Sequence, residues 1–303
     1  MKFPVPFLCK LRIARIDGLA RIIGLLMVVG LLQACSAIKI AYNQASELAY
    51  WQLDGYFDFT DEQTPQVREE LARIHQWHRQ TQLPVYVQTL EQWQAWMPGD
   101  LNEDRVCQMT ELVRERLLAI SERSQTAAVV VVPTLAPAQL DHLKRKFSKL
   151  NSEYRNDFID GRPQALFEKR FRKAVSRAEM LYGTLEEKQL AVLRARMTQS
   201  VFNPGVSLAE HQRRQRDALH TLAQVMAGPS SPEQIGKAVR AYSDRAVNSP
   251  DAAYRAYQER LTRDSCKTFA ELHNSTNAVQ RAKAAQTLAG YAQDFRILSG
   301  QRS

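Results

Sequence analysis

Apolar residues recur every three or four positions along almost the whole chain, and that spacing predicts helices. Ile38, Ala41, Ala45, Leu48, Trp51 and Leu53 predict a first helix. Val67, Leu71, Ile74 and His78 share one face of a second, which Pro84 interrupts before Tyr86, Leu90, Trp93 and Met97 resume the pattern. Val106, Met109, Val113, Leu117 and Ile120 predict a third, and Leu140, Leu143, Phe147, Leu150, Tyr154 and Phe158 form the most regular stripe. Further stripes run through Phe167–Leu181, Leu190–Met197, Leu208–Val225 and Tyr254–Leu261, and the last ends at Leu298. The β-branched run Ala127–Val132, closed by Pro133, fits either a short buried strand or the apolar end of the third helix.

Helix starts carry a recurring device. Thr60–Gln63, Thr184–Glu187, Ser207–Glu210 and Ser231–Gln234 each place a hydroxyl three residues before Glu or Gln, the spacing of a capping box. Pro137, Pro232 and Pro250 stand where a first helical turn tolerates a missing N–H. The expected fold is all-α: a single multi-helix bundle-like domain of about nine or ten helices, with Gly228–Ser231 as its best hinge.

The N-terminus breaks this pattern. Lys2, Lys10, Arg12, Arg15 and Arg21 precede an apolar core, Ile22–Leu32, which Leu32-Gln33-Ala34-Cys35 follows. A positive segment, a short apolar core and a small residue before cysteine are the parts of a bacterial lipoprotein leader. The core falls short of the roughly 20 apolar residues a membrane span needs. The expectation is a cleaved signal peptide, 1–34, and a lipid-anchored helical domain, 35–303, with Cys35 as the acylated residue. Ser36, not Asp, follows it, and by resemblance to Gram-negative sorting this implies the outer membrane.

That reading changes the composition. The leader carries five of the basic residues and Asp17, so the formal charge falls from +9 to +5 on cleavage. A mildly basic chain outside the cytoplasm calls for no nucleic-acid partner. Cys9 leaves with the leader and Cys35 takes lipid, so Cys107 and Cys266 remain. In an oxidising compartment these are either a disulfide or two buried thiols.

Candidate chemistry is sparse. His75 and His78 are one helical turn apart and could share a metal, but no third ligand stands at metal spacing, so no metal site is assigned. No nucleophile elbow and no glycine-rich phosphate loop occurs, and no cofactor is expected. Glu69-Glu70 and Glu186-Glu187 fit helix starts, where the dipole favours negative charge. Arg213, Arg214 and Arg216, with Lys169, Arg170, Arg172 and Lys173, are either solvated faces or a patch for lipid phosphate or an acidic partner. The rings between Tyr42 and Trp96, including Trp51, Trp77, Trp93 and Trp96, are read chiefly as core, with a ring-lined groove for an acyl chain or extended peptide as the alternative.

Tyr42-Asn43, Trp51 to Tyr56, Glu62-Gln63, His75 to Arg79 and Leu83 to Tyr86 stand in an order that resembles a family of uncharacterised, all-helical Gram-negative lipoproteins with a domain of unknown function. Leu135 to Gln139, Arg213 to Gln215 and Cys266 to Arg281 extend the likeness over nearly the whole mature chain. The resemblance implies a lipidated helical fold and carries over one functional residue, Cys35. Phe59-Thr60-Asp61-Glu62-Gln63 and Leu135 to Gln139 are also loosely similar to the Leu-Thr-x-x-Gln starts of small periplasmic helical chaperones, a pattern that capping explains without common descent. The resulting expectation is a non-enzymatic outer-membrane lipoprotein facing the periplasm. Its partners are the bilayer, through acylated Cys35, and an envelope protein or lipid. The alternatives are an envelope hydrolase acting on cell wall or lipid, or a holdase-like chaperone.

Overall fold

The computed structural model describes residues 38–228 and 230–300; the expected leader, 1–34, and Cys35 lie outside them. The chain divides into two units, residues 1–45 and 46–303. In the first, residues 38–43 are helical. The second is built on α1 (Ala45–Phe57), α2 (Thr64–Trp77), α3 (Leu83–Trp96), α4 (Glu103–Val131), α5 (Pro137–Phe158), α6 (Pro163–Tyr182), α7 (Glu187–Gln199), α8 (Pro204–Met226), α9 (Pro232–Val247), α10 (Ala252–Ser275) and α11 (Ala278–Ser299). No β-strand occurs among the described residues. The helix that periodicity missed is α9, although its capping box was legible: Ser231 accepts from Gln234 N–H, and Gln234 Oε1 accepts from Ser231 N–H.

Pro84 does not break the chain. A π-helical turn, His78–Gln82, joins α2 to α3. Proline has no N–H and its ring crowds the carbonyl four residues back, here Gln80. Widening the turn at this point accommodates both. The Ala127–Val132 run is helical to Val131 and then tightens into a 3₁₀ turn, Val132–Thr134, ahead of Pro137 at the start of α5.

Four buried glutamines tie helix starts together in pairs. Gln63 Oε1 accepts from Thr60 N–H, and Gln139 Oε1 accepts from Ala136 N–H, so each closes its own start. Their amides then cross. Gln63 Nε2 donates to Thr134 O at 2.6 Å, and Gln139 Nε2 donates to Phe57 O and Asp58 O at 3.0 and 3.1 Å. The same arrangement recurs at α7 and α11: Gln189 and Gln280 cap Glu186 and Asn277, and their amides donate to Ser275 O and Thr184 O. In each pair an amide satisfies a carbonyl of the opposite arm that burial would otherwise strand. Asp58, at φ 53°, makes the tight exit from α1 that brings Phe57 and Asp58 to this brace.

The main core gathers α3, α4, α6, α7, α10 and α11 around Met97, Leu101, Tyr182, Leu193, Cys266 and Ala284. A smaller cluster of Val132, Val225 and Ile235 joins the end of α4 to α8 and α9. His273 is fully buried in the main core. Its Nε2 donates to Gly99 O at 2.8 Å and its Nδ1 accepts from the Tyr182 hydroxyl at 2.9 Å, which fixes a neutral tautomer.

Two expected faces are turned differently. Leu48 and Trp51 (62% exposed) lie on the outside of α1, while Tyr50 is buried against α2. Val113 and Leu117 are likewise exposed on α4. Thr184 and Ser207 do not cap helices. The α7 cap is Glu186, and α8 begins earlier, at Pro204 behind Asn203, whose side chain accepts from Gly205 and Val206 N–H. Pro250 stands one residue before the α10 cap, Asp251.

Candidate functional site

Cys107 and Cys266 are joined by a disulfide, with Cα atoms 5.4 Å apart. They lie on α4 and α10, helices that pack together in the main core. Cys35, the expected lipid carrier, lies outside the described residues.

His75 and His78 stand at the join of α2 and the π turn. His78 Nε2 is 3.1 Å from the Tyr86 hydroxyl, and its ring meets that of Tyr86 edge-on at 5.3 Å. Burial, aided by the neighbouring His75, holds the His78 pKa below its ordinary 6.5. Among the described residues no three His, Cys, Asp or Glu side chains are grouped to hold a metal ion. The tyrosine contact gives His78 a structural partner.

Burial also lowers the pKa of His273. An imidazole with a depressed folded pKa takes up its proton more readily in the unfolded chain. The stability it contributes is therefore full above about pH 6.5 and is lost as pH falls through the folded value, by up to ~1.4 kcal/mol per pH unit per group. Thermal unfolding followed by circular dichroism should show a falling Tm between pH 7 and 5. His273→Gln should have a shallower pH slope than wild type; equal slopes would remove His273 as a contributor.

The arginine cluster of α8 surrounds a buried carboxylate. Glu210 is 3% exposed and accepts from Arg213 Nε and Nη2 at 2.9 Å, Arg214 Nε at 2.8 Å and Ser249 Oγ at 3.2 Å. Burial pushes its pKa up, but the hydrogen bonds and charges of the two arginines outweigh this and hold it below the ordinary carboxylate value. Arg213 continues to Asp217, which Arg245 grips through Nε and Nη2. Ser207–Glu210, expected as a capping box, thus supplies the centre of a polar network. This network floors a cleft of about 710 Å³ between the first half of α8 and the start of α10, with Tyr254, Tyr257, Arg216 and Arg260 on its walls.

A second cavity, about 280 Å³, lies between α1, α2 and the end of α4. Leu53, Phe57, Phe59, Leu71, Ile74 and Val131 are among its lining residues. Its polar side chains are Glu70 and Ser124. Glu70 is engaged by Arg73, and Ser124 Oγ donates to Ile120 O within its own helix. The ring-rich segment therefore contributes Phe57 and Phe59 to a cavity, whereas Trp93 and Trp96 pack against the main core and Trp51 faces outward. Periodicity could not show this, because α1 is apolar on two faces and only its packing on α2 and α5 selects the inner one.

The fold defines an all-helical, disulfide-linked domain in which the glutamates of both clefts, Glu70 and Glu210, are held by arginines. Residues 55–231 match a protein family of unknown function, DUF6279, and the chain belongs to that family. No curated protein and no solved structure matches it.

Proposed function

We propose that the chain is a lipid-anchored protein of the outer membrane, held on the periplasmic face through acylated Cys35, and that it binds an acyl chain of an envelope lipid between α1, α2 and α4. The observation that carries the ligand class is the cavity lining. Glu70 and Ser124 are the only polar side chains of the lining and each already holds a partner, so an inserted peptide would leave most of its N–H and C=O groups unpaired, each costing about 1–3 kcal/mol when stranded. An acyl chain has no such groups, and each buried methylene stabilises by roughly 0.8 kcal/mol. The hydrolase reading asks for a cleft with free acids or a histidine pair open to substrate; Glu70 and Glu210 are instead tied to arginines and His78 to Tyr86.

Two measurements test the two halves separately. Cys35→Ala should abolish incorporation of radiolabelled palmitate and release the protein from membranes; retained label would remove the anchor. The purified chain should enhance the fluorescence of parinaric acid. Ala127→Phe, which fills the cavity, should raise the Kd at least tenfold, and an unchanged Kd would remove the acyl site.

A further inference from the structure

The cleft between α8 and α10 holds an imbalance of charge that the fold does not explain. The two helices run antiparallel along it. The Tyr257 hydroxyl accepts from Asn203 N–H at 2.9 Å at one end, and Ser249 Oγ reaches Glu210 further along α8. Arg260 therefore stands at the Asn203 end and Arg216 at the other, separated by about 20 Å of helical rise. Both are exposed, and among the described residues neither pairs with a carboxylate. The acids in the cleft are engaged: Glu210 by Arg213 and Arg214, and Asp251 by the N–H groups of Ala253 and Tyr254 that it caps.

Arg170, on α6, is the decisive residue. Its guanidinium lies 4.3 Å over the ring of Phe202, which is flanked in sequence by two cleft-lining residues, Val201 and Asn203. It is half-buried, near the Tyr154 and Tyr257 hydroxyls, and burial lowers its pKa. Among the described residues it has no carboxylate partner. An exposed unpaired arginine is ordinary. A half-buried one forfeits hydration with no opposite charge in return, so its environment is completed by an anion. Its neighbours Lys169 and Lys173 show the contrast, since both pair with Asp157.

We infer that the α8–α10 cleft is a binding site for a phosphate-bearing ligand, with Arg170 and Arg260 at the Val201–Asn203 end meeting the phosphate and Arg216 adding long-range attraction from the far end. Guanidinium groups match phosphate oxygens in paired hydrogen bonds. A doubly charged phosphate suits two unneutralised arginines better than a single carboxylate does. The same chemistry is offered by a lipid headgroup and by a free phosphorylated sugar.

The test is titration calorimetry on the full chain in neutral detergent micelles. Three probes are used: fructose 1,6-bisphosphate, micelles doped with phosphatidylglycerol, and poly-glutamate. Saturable binding of the bisphosphate or of the doped micelles is expected, and which of the two binds identifies the source. Arg170→Gln and Arg260→Gln should each weaken it at least tenfold, and Arg216→Gln by a smaller factor. Arg170→Gln should change the Tm little, because losing the stack on Phe202 is offset by removing a half-buried charge that lacks a carboxylate partner; a purely structural arginine would lower it. Arg260 is exposed, so Arg260→Gln tests the clamp independently of folding. Unaltered binding in both variants, binding of poly-glutamate alone, or binding of no probe would overturn the assignment.

Discussion

Reduction of the Cys107–Cys266 bridge lowers the thermal midpoint of this protein by roughly 10–20 °C. The two cysteines are 159 residues apart, so the bond closes a loop of more than half the chain. On the chain-entropy model such a closure removes about 5 kcal/mol of unfolded-state freedom. Domains are stable by about 5–15 kcal/mol in all, so the bridge supplies a large fraction. At roughly 2–4 °C per kcal/mol for a domain of this size, the stated shift follows. The loss has a second, local component. Cys266 is 1% exposed among Leu272, Ala270 and Tyr182, so two unlinked thiols, or two serines, must be housed in that core. The check is thermal unfolding by circular dichroism, with and without reductant, beside Cys107→Ser/Cys266→Ser. Burial predicts that reduction is slow until the fold opens, so the double variant gives the cleaner value. A midpoint within 3 °C of wild type in both arms would show that the bridge adds nothing.

This bridge illustrates what the chain makes legible and what it hides. Subtracting Cys9 and Cys35 left one pair, but only packing of α4 on α10 brings the two Cα atoms within bonding distance. The helices were legible because their apolar spacing is local, and so was the capping glutamine of α2. The other half of that residue's work was not. Gln63 Nε2 reaches Thr134, 71 positions away, and nothing in the local pattern of either segment announces the crossing. Trp51 failed for the opposite reason. A large ring is a strong burial signal, yet Tyr50, one position before it, takes the inner place by bonding Thr64 and lying under Arg68. Ser207 to Glu210 failed because a capping box is only a spacing. Asn203 and Pro204 offered a better start one turn earlier, which left Glu210 inside α8 and free to be buried.

Glu210→Ala destabilises the protein by about 3 kcal/mol, the lower end for breaking a buried ion pair from one side. The carboxylate satisfies three donor groups at once: Arg213, Arg214 and Ser249. Without it Arg213 keeps Asp217 and the Arg245 carbonyl, which limits the penalty, while Arg214 retains only its position over Tyr254. Glu210→Gln keeps the shape and one acceptor oxygen and should lose about half as much. The effect must also depend on pH. Glu210 and Asp217 both titrate below their ordinary values in the folded state. A depressed carboxyl pKa gives stability that is complete above about pH 4.5 and lost as pH falls through the folded value. Urea unfolding at pH 7 and pH 3 should show the wild-type advantage over Glu210→Ala shrinking at the lower pH. Equal differences at both would mean that packing, and not charge, holds α8 to the α9–α10 turn. The network has a functional consequence as well. By neutralising Arg213 in the floor of the cleft and Arg214 next to it, Glu210 leaves Arg170, Arg216 and Arg260 as the charges a ligand meets. The substitution should therefore alter phosphate binding by releasing competing arginines, even at temperatures where the fold survives.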